Sequence, residues 1–245
     1  MEFRFRNEEI RMNRRELLSS IVITALAAEA QETGGGAPPS LYIPKAHLVE
    51  DRKFLQDFMD EFAFIDLVTA SPTPRITHVP VLLDRMAGSL GTIRGHISKQ
   101  NEQTSAFDHK QEAVAVFRGP SGYISPAWYA ARSGFPTWNF AAVHATGKLT
   151  AVTEPKALRA LLLKLVDKFE TYEGTGYDIT QVPDSQVEAS LARAVGFEMQ
   201  IERLEGKFKL GQERSPADRE GILANLPKAR RERPLEEITD SFYKR

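Results

Sequence analysis

The chain has 245 residues, of which 42% are hydrophobic and 27% are charged, a composition typical of a globular protein with a sizeable core. The formal net charge of −1 gives no electrostatic case for a nucleic-acid-binding surface, and the absence of cysteine excludes disulfides, thiol catalysis and cysteine-based metal sites. No apolar run reaches the length of a membrane-spanning helix.

The N-terminal segment has the pattern of an export signal. Arg14 and Arg15 precede a short apolar run over residues 17–28, which ends at the Ala-Glu-Ala sequence of residues 28–30. These features predict a signal peptide of the twin-arginine type, and an amphipathic helix is the alternative. We therefore expect residues 1–40 to form a signal-like segment and a flexible linker. The protein is expected in the cytoplasm, or in the periplasm if the signal is used.

The first half of the folded region is predicted to contain one helix and several short strands. Phe54, Phe58 and Phe62 recur at helical spacing and predict a helix over about 50–62. β-rich runs separated by glycine and proline follow, and two of them form a hairpin that turns near Gly88. The predicted strands are residues 63–70, 76–84, 91–97 and 112–119, with residues 122–125 continuing the last strand or starting another; residues 101–107 are a short helix or a loop.

The second half alternates long elements of both types. A long strand is predicted over about 139–152, and a helix follows with Thr153 as its cap and Pro155 in its first turn. A shorter helix over 185–195 is predicted to end at Gly196, before a strand over 197–210. Ser215 is predicted to cap a last helix. Strands in the middle and helices at the margins predict an α+β fold, an antiparallel barrel flanked by helices.

The sequence contains polar side chains inside and at the ends of strands, and it lacks the common catalytic and nucleotide-binding motifs. The five histidines lie far apart in the sequence, and His78 falls within a predicted strand. A strand end with free N–H groups and donor side chains suits an anion such as phosphate, and partly buried histidines with a surface lysine are the alternative. The candidate residues are His96, Ser98, Lys99 and Asn101; Lys207, Lys209, Gln212 and Arg214 form either a second anion site or a basic edge strand.

Six motifs, in order along the chain, resemble the PaiB family of FMN-binding negative transcriptional regulators. The resemblance spans about residues 41–226 and implies a split β-barrel of the pyridoxamine-phosphate-oxidase-like type. It also implies a homodimer with FMN at the subunit interface. The expected domains are the FMN-binding split barrel at 41–212 and a C-terminal helix with a polar tail at 213–245. The motifs are LYIPKAH, ITHVPVLLD, GHISKQN, FRGPSGYISPAWY, PTWNFAAVHATGK and EGKFKLGQERSPADREGI.

The resemblance also implies which residues bind the cofactor. The FMN phosphate falls on His96, Ser98, Lys99 and Asn101 at the end of GHISKQN. Residues Thr77, His78 and Val79 run beside the isoalloxazine ring, with backbone groups facing its polar edge. The other pocket residues, from the same subunit or its partner, are Trp138, Asn139, Lys209 and Gln212.

Four of the positions at which the sequence departs from the family pattern bear on the site. Lys99 stands where arginine is usual, which keeps the charge and loses the bidentate phosphate geometry. Glu102 and Thr104 replace a proline and a tryptophan, and Gly211 replaces a serine. We therefore expect the loop after the phosphate site to differ in shape from its relatives.

Three functions are compatible with the sequence. The first is an FMN-binding negative transcriptional regulator that acts through a partner or weak DNA contact, since no DNA-reading motif is seen. The second is a flavin-dependent oxidoreductase on the same barrel; no catalytic residue is assigned, and His78 and His144 are the candidates to test. The third is a cofactor-free dimeric interaction module. Haem also stays open, with His78, His96 or His144 as the axial ligand.

Both tryptophans of the chain lie within residues 125–144. Trp128 follows Pro126 in a loop, and Trp138 stands at the start of the long predicted strand. Tryptophan is often a core residue, and it is equally suited to an interface because its ring is apolar and its N–H is polar. The two interpretations are a rigid aromatic lid and dimer contact over the flavin, and plain core packing.

Overall fold

The described part of the chain contains seven strands and four α-helices, joined by loops and short 3-10 turns. The structure is a computed structural model that describes residues 39–70, 73–108 and 112–226. The strands are β1 (Leu48–Val49), β2 (Phe64–Thr69), β3 (Arg75–Asp84), β4 (Thr92–Ser98), β5 (Glu112–Ile124), β6 (Thr137–Val152) and β7 (Ala194–Lys209). The helices are α1 (Arg52–Glu61), α2 (Pro155–Glu173), α3 (Asp184–Leu191) and α4 (Pro216–Asn225).

Six of the strands close into an antiparallel barrel. Their order is β7-β4-β3-β2-β5-β6, and β6 pairs with β7 to complete the ring. The short β1 strand adds to β7 beyond the end of β4. The predicted antiparallel barrel flanked by helices is therefore confirmed, as is the hairpin formed by β3 and β4.

The barrel interior is filled by alternate residues of its strands. Leu67, Val81, Phe117, Val143 and Phe197 come from five different strands and are almost completely buried in one cluster. Because successive side chains of a strand point to opposite faces, the residues between them form the outer face of the barrel. The apolar alternation of the sequence therefore predicts the core, and the polar alternation predicts the outer face.

Helix α1 closes part of the barrel. Its N-cap is Asp51, whose Oδ1 accepts a hydrogen bond from the Phe54 main-chain N at 2.8 Å. Leu55, Phe58 and Met59 are buried in the barrel core, whereas Phe54, one of the residues that predicted this helix, is 49% exposed. At the other end of the chain, Ser215 caps α4 as predicted.

Two predicted element boundaries are wrong. The cap of α2 is Glu154 rather than Thr153, and its carboxylate accepts from the Ala157 main-chain N at 2.7 Å. Since Pro155 is the first helical residue, the cap must stand directly before it.

The second wrong boundary is Gly196, which lies inside β7 and does not end a helix. Helix α3 ends at Leu191, and Gly196 pairs with His96 of β4 and with Val152 of β6. A Cβ at this position would lie 3.0 Å from the Val152 Cβ and 3.1 Å from Leu158 Cδ1. The glycine is therefore needed for close packing of α2 on the sheet.

Candidate functional site

Strands β3 and β4 separate at the end of the barrel where the phosphate site is predicted. Their pairing runs from Asp84–Thr92 only to Val81–Gly95. Beyond it, β3 stays with β2 as far as Arg75, and β4 stays with β7 as far as Ser98. Among the described strands, this leaves a split between residues 75–80 of β3 and residues 96–98 of β4.

Side chains from the segment after β4 bridge the base of the split. The Asn101 Nδ2 donates to Thr77 Oγ1 at 2.8 Å, and its Oδ1 accepts from the Gln103 main-chain N at 2.9 Å. Gln103 is fully buried, and its Nε2 donates to the Leu67 carbonyl at 2.9 Å and to Thr69 Oγ1 at 3.1 Å. Thr77 and Asn101 thus hold the split together, and their roles toward FMN stay predictions.

Gln103 was missed by the sequence reasoning. It lies in a short 3-10 turn, Glu102–Ala106, whose polar sequence gives no sign of burial. Its side-chain amide is buried because it forms hydrogen bonds with groups of β2. Glu102, one of the departures from the family pattern, also contributes to this loop, because its carboxylate pairs with Arg75 Nη1 at 2.5 Å. The side chain that replaces the family's proline therefore ties the loop to β3.

His96, Ser98 and Lys99 line the open end of the split. The Nδ1 atom of His96 is buried, and no described residue bonds it. Burial lowers the pKa of His96, so the imidazole is neutral at pH 7. The Lys99 side chain is exposed, while its main-chain N donates to the Arg193 carbonyl at 2.8 Å.

This group fits a phosphate. An imidazole N–H, the Ser98 hydroxyl and the Lys99 ammonium are all hydrogen-bond donors, and phosphate oxygens are acceptors. The buried and unpaired Nδ1 of His96 is the observation that supports a ligand at this place, because buried polar atoms of native proteins are normally bonded.

His78 lies on the outer face of β3 beside a carboxylate. Its Nδ1 is 2.5 Å from Asp66 Oδ1 on β2, and the other oxygen of Asp66 is 3.1 Å from Arg118 Nε. The His78 side chain is 63% exposed, so the carboxylate orients an accessible imidazole. Val79 points into the core and offers only its backbone to a ligand.

The remaining predicted pocket residues lie on the other side of the barrel. Trp138 is 53% exposed, and its ring centroid is 6.3 Å from that of Tyr123 in an edge-on arrangement. The Lys209 Nζ donates to Thr137 Oγ1 at 2.6 Å, and Asn139 is buried. Trp138 and Asn139 lie on β6, which stands three positions from β3 in either direction around the six-stranded ring, and Lys209 ends β7 well beyond the part that pairs with β4.

Gln212 makes its hydrogen bonds within its own turn. Its Oε1 accepts from the Leu210 main-chain N at 2.8 Å, and its Nε2 donates to the Phe208 carbonyl. The neighbouring Gly211 has φ +82°, a left-handed conformation in which glycine costs least. The serine-to-glycine departure therefore suits this turn, and a contact of Gln212 with FMN stays a prediction.

The two tryptophans have different environments. Trp128 is partly buried against Ile124, Tyr129 and Ile222, so it packs between the barrel and α4. Trp138 stands on the outer face and is not a core residue. Core packing therefore accounts for the first, and the aromatic lid interpretation remains a prediction for the second.

A row of ionisable side chains crosses the outer face of the barrel. Strand pairing aligns His78 with Asp66, Asp66 with Val116, Val116 with His144, and His144 with Glu205. Each histidine thus stands beside a carboxylate, and an apolar valine lies between the two pairs. The sequence could not reveal this row, because it depends on the register of five strands.

The predicted export signal is outside the part of the chain that forms this site. Arg14, Arg15 and the apolar run after them lie outside the described residues, so the signal stays a prediction. Across residues 39–70, 73–108 and 112–226, no helix has the length and apolarity needed to cross a membrane.

The fold and the site define a class: a split-barrel protein with a phosphate-compatible cleft at one end. A family model described as "Putative FMN-binding domain" matches residues 41–203, and the chain belongs to this family. The family resemblance and the expectation of FMN as the cofactor are thereby confirmed.

Individual relatives agree with this assignment. The chain is 29% identical over 187 residues to the protease synthase and sporulation protein PAI 2 of Bacillus subtilis, covering 76% of this chain and 89% of that protein. It is 29% identical over 238 residues to an uncharacterized protein of Aspergillus fumigatus, covering 77% and 91% respectively. A solved conserved hypothetical protein of Mycobacterium tuberculosis has the same fold, with a TM-score of 0.50, 13% identity and coverage of 71% and 94%.

Proposed function

We propose that this protein is a PaiB-type negative transcriptional regulator that binds FMN through the split between β3 and β4. The observation that carries the binding site is the buried, unpaired Nδ1 of His96 beside Ser98 and Lys99. These three residues bind the phosphate, and the exposed face of His78 lies next to the ring. FMN supplies redox chemistry when bound, and the chain supplies binding and orientation.

The regulatory role is supported by membership of the family and by the motifs that resemble PaiB. Repression acts through a partner protein or through weak DNA contact. Footprinting on the protein's own upstream region tests direct contact with DNA. Protection at moderate salt is expected for direct repression, and unprotected DNA at low salt contradicts it, because phosphate contacts are strongest there.

The outer face of the barrel supports a homodimer. Phe64 is 67% exposed and Ile76 is 60% exposed, and both lie on the outer face with the partly buried Val68 and Val114. These apolar side chains lie on both sides of the Asp66–His78 pair, and exposed apolar side chains grouped on one sheet face favour an interaction surface. In this proposal a second copy supplies the Trp138 that lines the split, since Trp138 of the same chain lies on β6, opposite β3 in the ring. Sedimentation of wild type and of Phe64→Glu with Ile76→Glu tests this, with a dimer and a monomer expected.

A flavin-dependent oxidoreductase is the second candidate, and the Asp66–His78 pair is the observation that favours it. A carboxylate at 2.5 Å from Nδ1 orients the imidazole, which suits a group that exchanges protons with a substrate. Anaerobic mixing of the FMN-loaded protein with reduced nicotinamide tests this function. Bleaching of the flavin supports it, and an unchanged spectrum contradicts a reductase that uses this donor.

The absorbance spectrum of the purified protein and the mass of its released cofactor decide between these functions. We expect the flavin bands and the mass of FMN; the mass of haem would identify a different cofactor. A colourless protein that gains no FMN on incubation would contradict both flavin functions and leave the cofactor-free interaction module. Quenching of Trp138 fluorescence by added FMN, compared with Trp138→Phe, tests the aromatic lid.

We place the regulator in the cytoplasm, and N-terminal sequencing of the expressed protein tests this. An intact N-terminus is expected. Cleavage after residues 28–30 would instead support a periplasmic flavoprotein, for which direct repression of a gene is excluded.

A further inference from the structure

Ser40 links two side chains on the outer face of β6 and β7. Its Oγ lies 2.6 Å from Glu205 Oε2 and 3.0 Å from His144 Nδ1. Its main-chain N also donates to Glu205 Oε2, at 3.2 Å. His144 and Glu205 are opposite one another across the two strands. We call these three residues the Ser40 cluster.

The geometry of the Ser40 cluster determines where its protons are. Glu205 Oε2 receives the Ser40 main-chain N–H and the Arg203 Nε–H at 3.3 Å, and neither donor can accept in return. Oε2 is therefore an acceptor. The single hydroxyl hydrogen of Ser40 is then donated to Glu205 over 2.6 Å.

The Ser40 hydroxyl can therefore act toward His144 only as an acceptor. The Ser40 oxygen, having donated its hydrogen, accepts from His144 Nδ1, so Nδ1 carries a hydrogen. In the neutral imidazole the other nitrogen, Nε2, then has a free lone pair. No described residue forms a hydrogen bond with Nε2.

The imidazole is neutral at pH 7. Burial lowers the pKa of His144, and the negative charge of Glu205 opposes this shift in part. The groups that face His144 come from Ser40, from β5 and from β7; those of the strands are Val116, Arg118, Arg203, Glu205 and Lys207.

Cations and an aromatic ring lie on the same outer face as His144, with Arg118 paired to Asp66 and Lys207 Nζ donating to the Tyr42 carbonyl. Arg118 on β5 and Lys207 on β7 both stand opposite the small Ala142, one row away from His144. Lys207 Nζ lies 5.5 Å from the centroid of the Phe140 ring on the same face. When a ligand donates a hydrogen bond to His144 Nε2, its donor atom becomes more negative. The positive charges of Arg118 and Lys207 stabilise that negative charge.

We propose that His144 Nε2 accepts a hydrogen bond from a ligand on the outer face, and that the ligand is an aromatic ring with a weakly acidic O–H or N–H group. Ser40 and Glu205 are positioning residues that set the protonation pattern of the ring. The proposal deepens and rests on the proposed function, since this ligand is the substrate or effector that meets the FMN protein on this face.

Nitrogen-15 NMR of the full chain tests the protonation pattern. The His144 signals are assigned by their loss in His144→Gln. At pH 7.5 we expect a protonated Nδ1 and an unprotonated Nε2. A protonated Nε2 in the wild type would overturn the proposal.

Variants test the positioning roles with the same readout. Ser40→Ala with Glu205→Leu removes the hydroxyl that accepts from His144 Nδ1 and the carboxylate that orients this hydroxyl, and we expect the form with hydrogen on Nε2 to appear. Ser105→Ala is the matched control, because its hydroxyl bonds the Glu102 carbonyl far from the cluster, and it leaves the His144 signals unchanged. An unchanged pattern in the double variant contradicts the positioning roles.

Phenol and anisole test the ligand class, because the two rings differ in having and lacking the O–H donor. Added to the FMN-loaded protein, phenol is expected to shift the Nε2 signal saturably and to bind about fivefold more tightly than anisole, the worth of one hydrogen bond. Equal affinities, or no shift with phenol, would overturn the proposal. FMN loading is read separately from flavin absorbance, so a failure of the proposed function is distinguishable from a failure at His144.

Discussion

The phosphate site gives the sharpest test of the cofactor assignment. We predict that His96→Ala combined with Lys99→Ala weakens FMN binding by roughly thirtyfold. A hydrogen bond from the buried His96 Nδ1 contributes about 1 kcal/mol, and the exposed Lys99 ammonium contributes about 1 kcal/mol after solvent screening. The sum of about 2 kcal/mol corresponds to this loss, since 1.4 kcal/mol changes a dissociation constant about tenfold.

The assay is titration of the FMN-free protein, followed by flavin absorbance. His96→Gln tests the hydrogen bond of His96, because glutamine retains a donor and should keep most of the affinity that His96→Ala loses. Lys148→Ala is the matched control: this lysine lies on the outer face of β6 and pairs with Glu202 at 3.5 Å, away from the split. Thermal unfolding of each variant checks that the barrel is intact. A double variant that folds and binds FMN within twofold of the wild type would refute the phosphate site.

Two further predictions concern packing and pH. Gly221→Ala is expected to undock α4, because its Cβ would lie 1.9 Å from the Trp128 carbonyl oxygen. Trp128 fluorescence and proteolysis should report this change. Gly122→Ala, whose Cβ would lie 3.7 Å from its nearest neighbour, should change neither. Burial lowers the pKa of His96 and of His144, so the unfolded chain binds more protons below about pH 6.5 and the free energy of unfolding should fall as the pH drops from 7 toward 5. Urea unfolding at both pH values checks this, and an equal decrease in a variant with glutamine at both histidines would contradict it.

Much of the fold could be predicted from the sequence, because apolar periodicity directly records which face of each element is buried. The helix spacing of Phe54 and Phe58 predicted α1, and the alternation in residues 139–152 predicted most of β6. The boundary errors at Thr153 and Gly196 arose where local signals compete with tertiary packing. Gly196 is a common helix-ending residue, yet here it makes room for Leu158 of α2.

The candidate site was only partly predictable, for a different reason. His96, Ser98 and Lys99 are neighbours in sequence, so their grouping at a strand end could be proposed from the motif alone. Gln103 could not be found, because its burial depends on the sheet into which it reaches.

The sequence by itself determined the alternating strands, the family and the cofactor class, because these depend on residues that are close together along the chain. Only the tertiary structure decided that β3 and β4 part beyond Val81 and Gly95. It also decided that Ser40 reaches His144 and Glu205 across 104 and 165 positions of sequence. Strand register and barrel closure set such contacts, and they are properties of the whole sheet that no local pattern encodes.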